Sequence, residues 1–224
     1  MKNIKIIGLF LLFATALISC SKWNEFEKYT ENGAIIYAGK LDSVKISSGK
    51  GRVKLTGILR PDPKIVKCRI FWNGGKDSVE YMLPPITTGL RLFDQTFNVS
   101  EGVKSFTVYT YDKDGNKSVS ASAIGTSYGD IYRRRLLNRP IGSVIFASNN
   151  TTINWEQTDL STGIQGTETE YVVGNSTLTI STPVSQSTTV LNSFNSQTTK
   201  FRYRTIFKPE ANCIDTFATA YNTR

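Results

Sequence analysis

Lys104-Ser105-Phe106-Thr107-Val108-Tyr109-Thr110 can be laid without gaps on Thr199-Lys200-Phe201-Arg202-Tyr203-Arg204-Thr205. Successive side chains of a strand point to opposite faces of its sheet. Phe106, Val108 and Thr110 then match Phe201, Tyr203 and Thr205 as inward positions. Tyr109, Arg202 and Arg204 fall on the outward side. Each segment is followed by a turn and a last short strand. The beginnings of the two halves correspond as well, with Arg52-Val53-Lys54-Leu55-Thr56 set against Thr151-Thr152-Ile153-Asn154-Trp155. A repeat of roughly 95 residues is about one sandwich domain in size. The chain is therefore expected to be all-β, with two similar β-sandwiches in tandem.

The surrounding texture agrees. Short β-rich runs are separated by turn signals at Ser47-Ser48-Gly49-Lys50-Gly51, Asn73-Gly74-Gly75, Asp114-Gly115-Asn116 and Gly174-Asn175. Many short strands with regular turns indicate a sandwich. In Lys67-Cys68-Arg69-Ile70-Phe71-Trp72, one face carries Cys68, Ile70 and Trp72 and the other Lys67, Arg69 and Phe71. The first set is the expected core, so Cys68 reads as a small buried hydrophobe. Cys213 is expected to be free and buried as well. Between the halves, Asp130 is placed to cap a short helix that Pro140 stops. That helix pairs Ile131 with Arg135 and Tyr132 with Leu136, and its apolar members are expected to wedge between the sandwiches.

The N-terminal end has a different character. Met1-Lys2-Asn3-Ile4-Lys5 precedes an apolar stretch from Ile6 to Ile18, and Leu17-Ile18-Ser19-Cys20 closes it. This is the composition of an export signal rather than of a membrane-spanning helix. A cysteine just after the cut, three residues beyond a leucine, forms a bacterial lipoprotein box. Cys20 is the expected lipidation site, and several acyl chains give stable membrane attachment. The expected organisation is a signal peptide over 1–19 and a lipidated tether over 20–34. A first sandwich over 35–127, a helical linker over 128–139 and a second sandwich over 140–224 follow.

Composition removes many functions. The 224 residues contain no histidine, hence no Ser-His-Asp triad, no Cys-His pair and no zinc site of the usual His-containing kinds. The 27 Lys and Arg against 18 Asp and Glu give +9, and loss of Lys2 and Lys5 with the signal leaves +7. An exported basic chain has anionic lipid or acidic polysaccharide within reach, and nucleic acid is not an expected partner. No catalytic residue, cofactor or metal is expected.

Several separated stretches resemble one family. They are Ile36-Tyr37-Ala38-Gly39-Lys40-Leu41-Asp42-Ser43-Val44, Asp62-Pro63-Lys64, Phe71-Trp72-Asn73 with Asp77-Ser78, Tyr128-Gly129-Asp130 with Leu137-Asn138-Arg139, and Phe201-Arg202-Tyr203-Arg204-Thr205 with Asp215-Thr216-Phe217. The chain is similar along nearly its whole mature length to lipoproteins of Bacteroidota-type Gram-negative bacteria. The resemblance implies tandem fibronectin-III-like or immunoglobulin-like domains and association with glycan-uptake systems of the starch-utilisation type. It implies an outer-membrane address and no particular activity. Two departures stand out. Such proteins often carry acidic residues directly after the lipidated cysteine, where this chain has Ser21-Lys22-Trp23-Asn24-Glu25, so the surface and periplasmic faces both stay open. Gly57 stands where a tryptophan is usual, a position that Trp155 keeps in the second half. The first core is expected to be less filled there, or Trp72 to compensate.

Among candidate chemical groups, Asp112-Lys113-Asp114-Gly115-Asn116 has the alternation of a calcium loop but lacks its further acid. It reads as a hairpin turn. Arg202 and Arg204 are expected to face Glu168 and Glu170 as cross-strand pairs. Asn98, Asn149, Asn150 and Asn175 sit in glycosylation-like triplets and read as turn residues. Phe71, Tyr109 and Tyr111 all point outward from strands expected to be neighbours, and together form the candidate ligand platform. The expected function is a non-enzymatic, outer-membrane-anchored glycan-binding or adaptor module whose partners are the membrane, glycan or uptake proteins. The alternative is an adhesin-like interaction lipoprotein with no small ligand, which an edge suited to strand addition favours.

Overall fold

Alternating burial starts at Asp42 and governs the chain from there. The computed structural model describes residues 37–224, so Cys20, the signal and the 20–34 tether lie outside the described residues. Seven strands come first: β1 (Asp42–Lys50), β2 (Arg52–Leu59), β3 (Ile65–Trp72), β4 (Asp77–Met82), β5 (Arg91–Asn98), β6 (Gly102–Asp112) and β7 (Ala121–Tyr128). A helix, α1 (Asp130–Arg135), leads to β8 (Ile141–Phe146), β9 (Asn150–Trp155), β10 (Ile164–Val173), β11 (Ser176–Pro183), β12 (Thr188–Asn192) and β13 (Arg202–Phe207). Two short strands, β14 (Phe217–Ala218) and β15 (Asn222–Thr223), finish the chain.

The pairings repeat strand for strand. β2 lies between β1 and β5 as β9 lies between β8 and β12, and β3 lies between β4 and β6 as β10 lies between β11 and β13. β7 covers the far side of β6, and β14 and β15 share the far side of β13. Each half is thus a sandwich, and the described residues are all-β apart from α1 and two short 3₁₀ turns. β1 belongs to both sheets of the first sandwich. It pairs antiparallel with β2, and its last residues, Gly49 and Lys50, pair parallel with Ser127 and Tyr128 of β7.

Burial follows the expected alternation. Cys68, Ile70 and Trp72 are core, as are Phe106, Val108 and Thr110 on β6 and Phe201, Tyr203 and Thr205 in the second half. Cys68 and Cys213 are free and buried, and burial pushes the Cys68 thiol up to about 12. One register needs correction. Val53 and Leu55 are buried on β2, whereas Thr151, Ile153 and Trp155 are buried on β9. Setting Arg52 against Thr151 is therefore one residue out, and a slip of one turns every side chain to the wrong face. Val53 corresponds to Thr151, Leu55 to Ile153 and Gly57 to Trp155.

That register explains Gly57. A Cβ there would sit 2.6 Å from Leu41 Cγ, so Leu41 occupies the space over the glycine and is itself buried. Trp72 does not compensate. It packs instead against Phe97 and Phe106, with ring centroids 5.3 and 6.2 Å away. In the second core Trp155 fills its own site, and its Nε1 donates to Thr189 Oγ1 at 2.8 Å.

The linker also differs from expectation. Asp130 is the first residue of α1 rather than its cap, and the cap position, Gly129, supplies no side chain. The free helix N–H groups of Ile131 and Tyr132 donate instead to the carboxylate of Glu101, at 2.9 and 2.7 Å. α1 ends at Arg135, with Leu136 already extended, so Pro140 is not what stops it and the Tyr132–Leu136 helical pair does not form. Ile131 and Leu137 are exposed. Tyr132 alone wedges inward, against Tyr128 and Phe217 at 4.8 and 5.1 Å.

Replacing Gly57 with alanine forces a methyl group into the Leu41 side chain, and overpacking of this kind costs about 1–3 kcal/mol. Urea unfolding of Gly57→Ala is expected to show a lowered midpoint with an unchanged slope. Leu41→Ala in the same background is expected to recover part of the loss.

Candidate ligand-facing surface

β3 and β6 bring the three predicted platform residues together. Cross-strand pairing sets Arg69 opposite Tyr109, Lys67 opposite Tyr111 and Phe71 opposite Thr107. All three rings point away from the core and are half-buried. They do not lie flat. Phe71 and Tyr109 meet edge to face, with centroids 6.1 Å apart and planes at 77°.

A cation stands over each ring. Arg69 lies 4.8 Å from the Phe71 centroid, Lys117 5.1 Å from Tyr109 and Lys67 5.3 Å from Tyr111. The attraction of a cation for a ring face explains the arrangement. These cations are unevenly neutralised. Lys67 pairs with Glu80 at 3.2 Å. Arg69 donates to the Ser78 hydroxyl, and Lys117 has no ion pair among the described residues. The surface is a checkerboard of rings and positive charge, to which β3 gives Lys67, Arg69 and Phe71 and β6 gives Tyr109 and Tyr111.

The other predicted groups are used internally. Asp112 accepts from the N–H groups of Asp114 and Asn116 at 2.9 and 2.8 Å and from Asn116 Nδ2 at 2.8 Å. The Asn116 side chain, then the turn amides, hold its carboxyl below the usual range. These lone pairs belong to a hairpin turn, as expected. Arg204 reaches Glu168 and Arg202 reaches Glu170, both at 2.6 Å. The two guanidiniums also lie 4.9 and 4.4 Å from the Tyr221 ring, and the Tyr221 hydroxyl donates to Glu170. The acids and bases of this ladder satisfy one another. Asn149 borders the turn after β8, and Gly174-Asn175 joins β10 to β11 with Gly174 at φ +60°.

Two features lay beyond sequence reasoning. A cleft of about 500 Å³ opens beside the ends of β8 and β12. Phe146, Asn149, Ser193, Asn195 and Gln197 are among its lining residues, none of them charged. The other feature is the seam between the sandwiches. Asp215 accepts from the Lys50 N–H at 2.7 Å and from Arg52 through Nε at 2.9 Å and Nη2 at 2.5 Å. The Ile214 N–H donates to the Ser48 carbonyl at 2.7 Å. Glu210 accepts from Ser48 Oγ at 3.1 Å and from the Tyr128 hydroxyl at 2.8 Å. Burial, then the bond to Glu210, pushes Tyr128 up to about 12. On the linker, buried Arg139 donates to the carbonyls of Glu156 and Gln186 at 3.1 and 3.0 Å, and burial lowers its pKa.

The Arg52 hydrogen bonds hold the Asp215 carboxyl below its ordinary 3.8. The stability it contributes is complete above 3.8 and is lost as pH falls through the lowered value. Asp215→Asn is expected to unfold at lower urea than the unsubstituted chain near neutral pH. The two midpoints should converge as the pH is lowered below 3.8 and through the depressed value.

The chain belongs to the DUF4998 family, described as a domain of unknown function, whose model matches residues 20–217. The described residues of the chain form two β-sandwiches in tandem. Solved structures similar to it include a two-domain fibronectin type-III segment of chicken tenascin. That structure is 14% identical, covers 83% of this chain and 97% of its own, and superposes with a TM-score of 0.31. The FN1–FN3 domains of chicken CNTN1 are 10% identical, with coverage of 84% and 66% and a TM-score of 0.39. No curated protein matches the sequence.

Proposed function

We propose that this protein is a non-enzymatic binding lipoprotein, anchored in the outer membrane through Cys20, that captures an acidic polysaccharide for an uptake-type system. The observation that carries the ligand class is the face formed by Phe71, Tyr109 and Tyr111. Each ring already has a cation over it. A neutral sugar stacking on these rings would have to displace those cations, whereas a carboxylated or sulfated sugar meets Arg69 and Lys117, neither held by a carboxylate. Rigid sheet positions favour such a role, because the rings are set by strand register rather than by loops. Binding without chemistry suits this surface, since carboxylates such as those of Asp112, Asp215 and Glu170 are committed to a turn, the seam and a cross-strand pair.

Affinity electrophoresis through gels containing neutral or uronic-acid polysaccharides tests the reading. Retardation by an acidic polymer is expected, and Tyr109→Ala with Lys117→Ala should abolish most of it. Mobility unaffected by both substitutions would sink the proposal, as would retardation only by neutral glucans with loss on Phe146→Ala in the uncharged cleft. For the anchor, Cys20→Ala is expected to move the protein from the membrane fraction to the soluble one and to end incorporation of labelled palmitate. Continued membrane association and labelling would exclude Cys20 as the lipid site.

A further inference from the structure

The free edges of the two sandwiches are guarded differently. In the first, β4 carries Asp77 and Glu80, and β5 carries Arg91 and Asp94. In the second, β11 and β12 hold the same places in the topology. No Lys, Arg, Asp or Glu occurs between Glu170 and Lys200. A strand edge presents unpaired N–H and C=O groups, and natural proteins block such edges with charge, proline or a bulge. β11 has no charge, and its only proline is its last residue, Pro183. Its pairing with β10 runs without a register shift from Gly166–Pro183 to Val173–Ser176. Among the described residues, no strand pairs with its other side.

The strand also reads alike in both directions. Thr179 is flanked by Leu178 and Ile180, these by Thr177 and Ser181, and these by Ser176 and Thr182. Two antiparallel strands related by a two-fold axis place each residue opposite its mirror position. With the axis at Thr179, Leu178 of one copy faces Ile180 of the other, and Thr177 faces Ser181. Leu178 stands opposite core residue Tyr171 of β10, yet it is 42% exposed. The single chain leaves uncovered the side chain that this pairing would cover. Aliphatic and hydroxyl pairs of this kind stabilise a ladder. β4 of the first sandwich has no such symmetry, since about Val79 its Asp77 would face Tyr81.

We propose that β11 is a self-association edge. Two copies of the chain pair their β11 strands antiparallel about Thr179, and the sheets β11-β10-β13 of both copies join into one. The near-palindrome selects a second copy, because a foreign strand would need no symmetry in β11. This inference is independent of the glycan reading and does not use its surface.

Placing cysteines on the full chain tests both the edge and the axis. Strand partners approach closely enough for a disulfide. Thr179→Cys is expected to give a dimer of twice the single-chain mass on non-reducing gels, above the background of the unsubstituted chain. Thr177→Cys and Ser181→Cys should cross-link when the two variants are mixed, and neither alone. Thr179→Lys sets like charges against each other across the axis and should weaken dimerisation by about tenfold or more in sedimentation equilibrium. Its thermal midpoint in dilute solution should not change, which separates a lost interface from a lost fold. A chain that stays monomeric at every concentration overturns the proposal. So does a dimer that Thr179→Lys leaves intact, or a monomer whose β11 takes up a different protein instead.

Discussion

Asp215 is the residue on which the arrangement of the two sandwiches depends. Its carboxylate meets the end of β1 and the start of β2 at once, through the Lys50 N–H and through Nε and Nη2 of the Arg52 guanidinium. The approach is close enough that Gly49 has no room for a side chain. A Cβ there would lie 2.8 Å from Asp215 Oδ2 and 2.9 Å from Ile214 Cγ1. Ile214 adds a backbone bond to Ser48, and Glu210 binds Ser48 and Tyr128 from the same loop. Tyr128, Tyr132 and Phe217 close an aromatic cluster beside it. Tandem domains move relative to each other unless their interface is extensive. Here polar bonds, an ion pair and aromatic packing fall on one short loop, so Ala38–Arg224 forms one compact unit.

A shared topology has been given two different interiors. The first core is aliphatic and aromatic, and where the second has Trp155 it uses a glycine covered by Leu41. The second core is lined with buried threonines, among them Thr151, Thr167, Thr169, Thr182, Thr189 and Thr205. Threonine suits a strand but brings a hydroxyl that needs a partner. Trp155, Thr189 and Thr182 satisfy one another in a chain, and Thr205 Oγ1 accepts from the Arg139 N–H. Thr167 and Thr169 find no partner, an unfavourable feature that the first core avoids. The linker therefore has a structural role in the second sandwich. Asn138 and Arg139 bring hydrogen bonds that the threonine core needs at its margin.

What could be read from the sequence was what is local. Period-two alternation on β3, β6 and β13 placed the core residues, the outward rings and the Glu–Arg ladder, because a strand's faces follow from its own residues. The Asp112 turn was legible for the same reason. The β2–β9 register was not, because Gly57 offers no side chain to mark a face, and the adjacent Thr151 and Thr152 fit either face equally well. Glu101, Arg139 and Asp215 were missed because their partners come from distant parts of the chain. A carboxylate that caps α1 from the β5–β6 connection looks in sequence like any surface acid. The helix was overextended because Leu136 and Leu137 continue an apolar pattern, while the backbone turns extended at Leu136 to carry Arg139 into the second sandwich.

The outward face of β3 and β6 is stabilised by cations set over its rings, and the proposed function builds on that arrangement. Exposed aromatic rings are costly unless something covers them, and a cation over each ring contributes about 0.5–1 kcal/mol at exposed sites. Covering the rings leaves positive charge uppermost. Lys67 spends its charge on Glu80, but Arg69 and Lys117 do not meet a carboxylate, so the layer retains a net attraction for anions. An anionic ligand would add a third layer over cation and ring without dismantling the first two. A neutral ligand gains nothing comparable and must first uncover a ring. Under the proposed function, the side-chain chemistry that stabilises this sheet face would also bias what it binds.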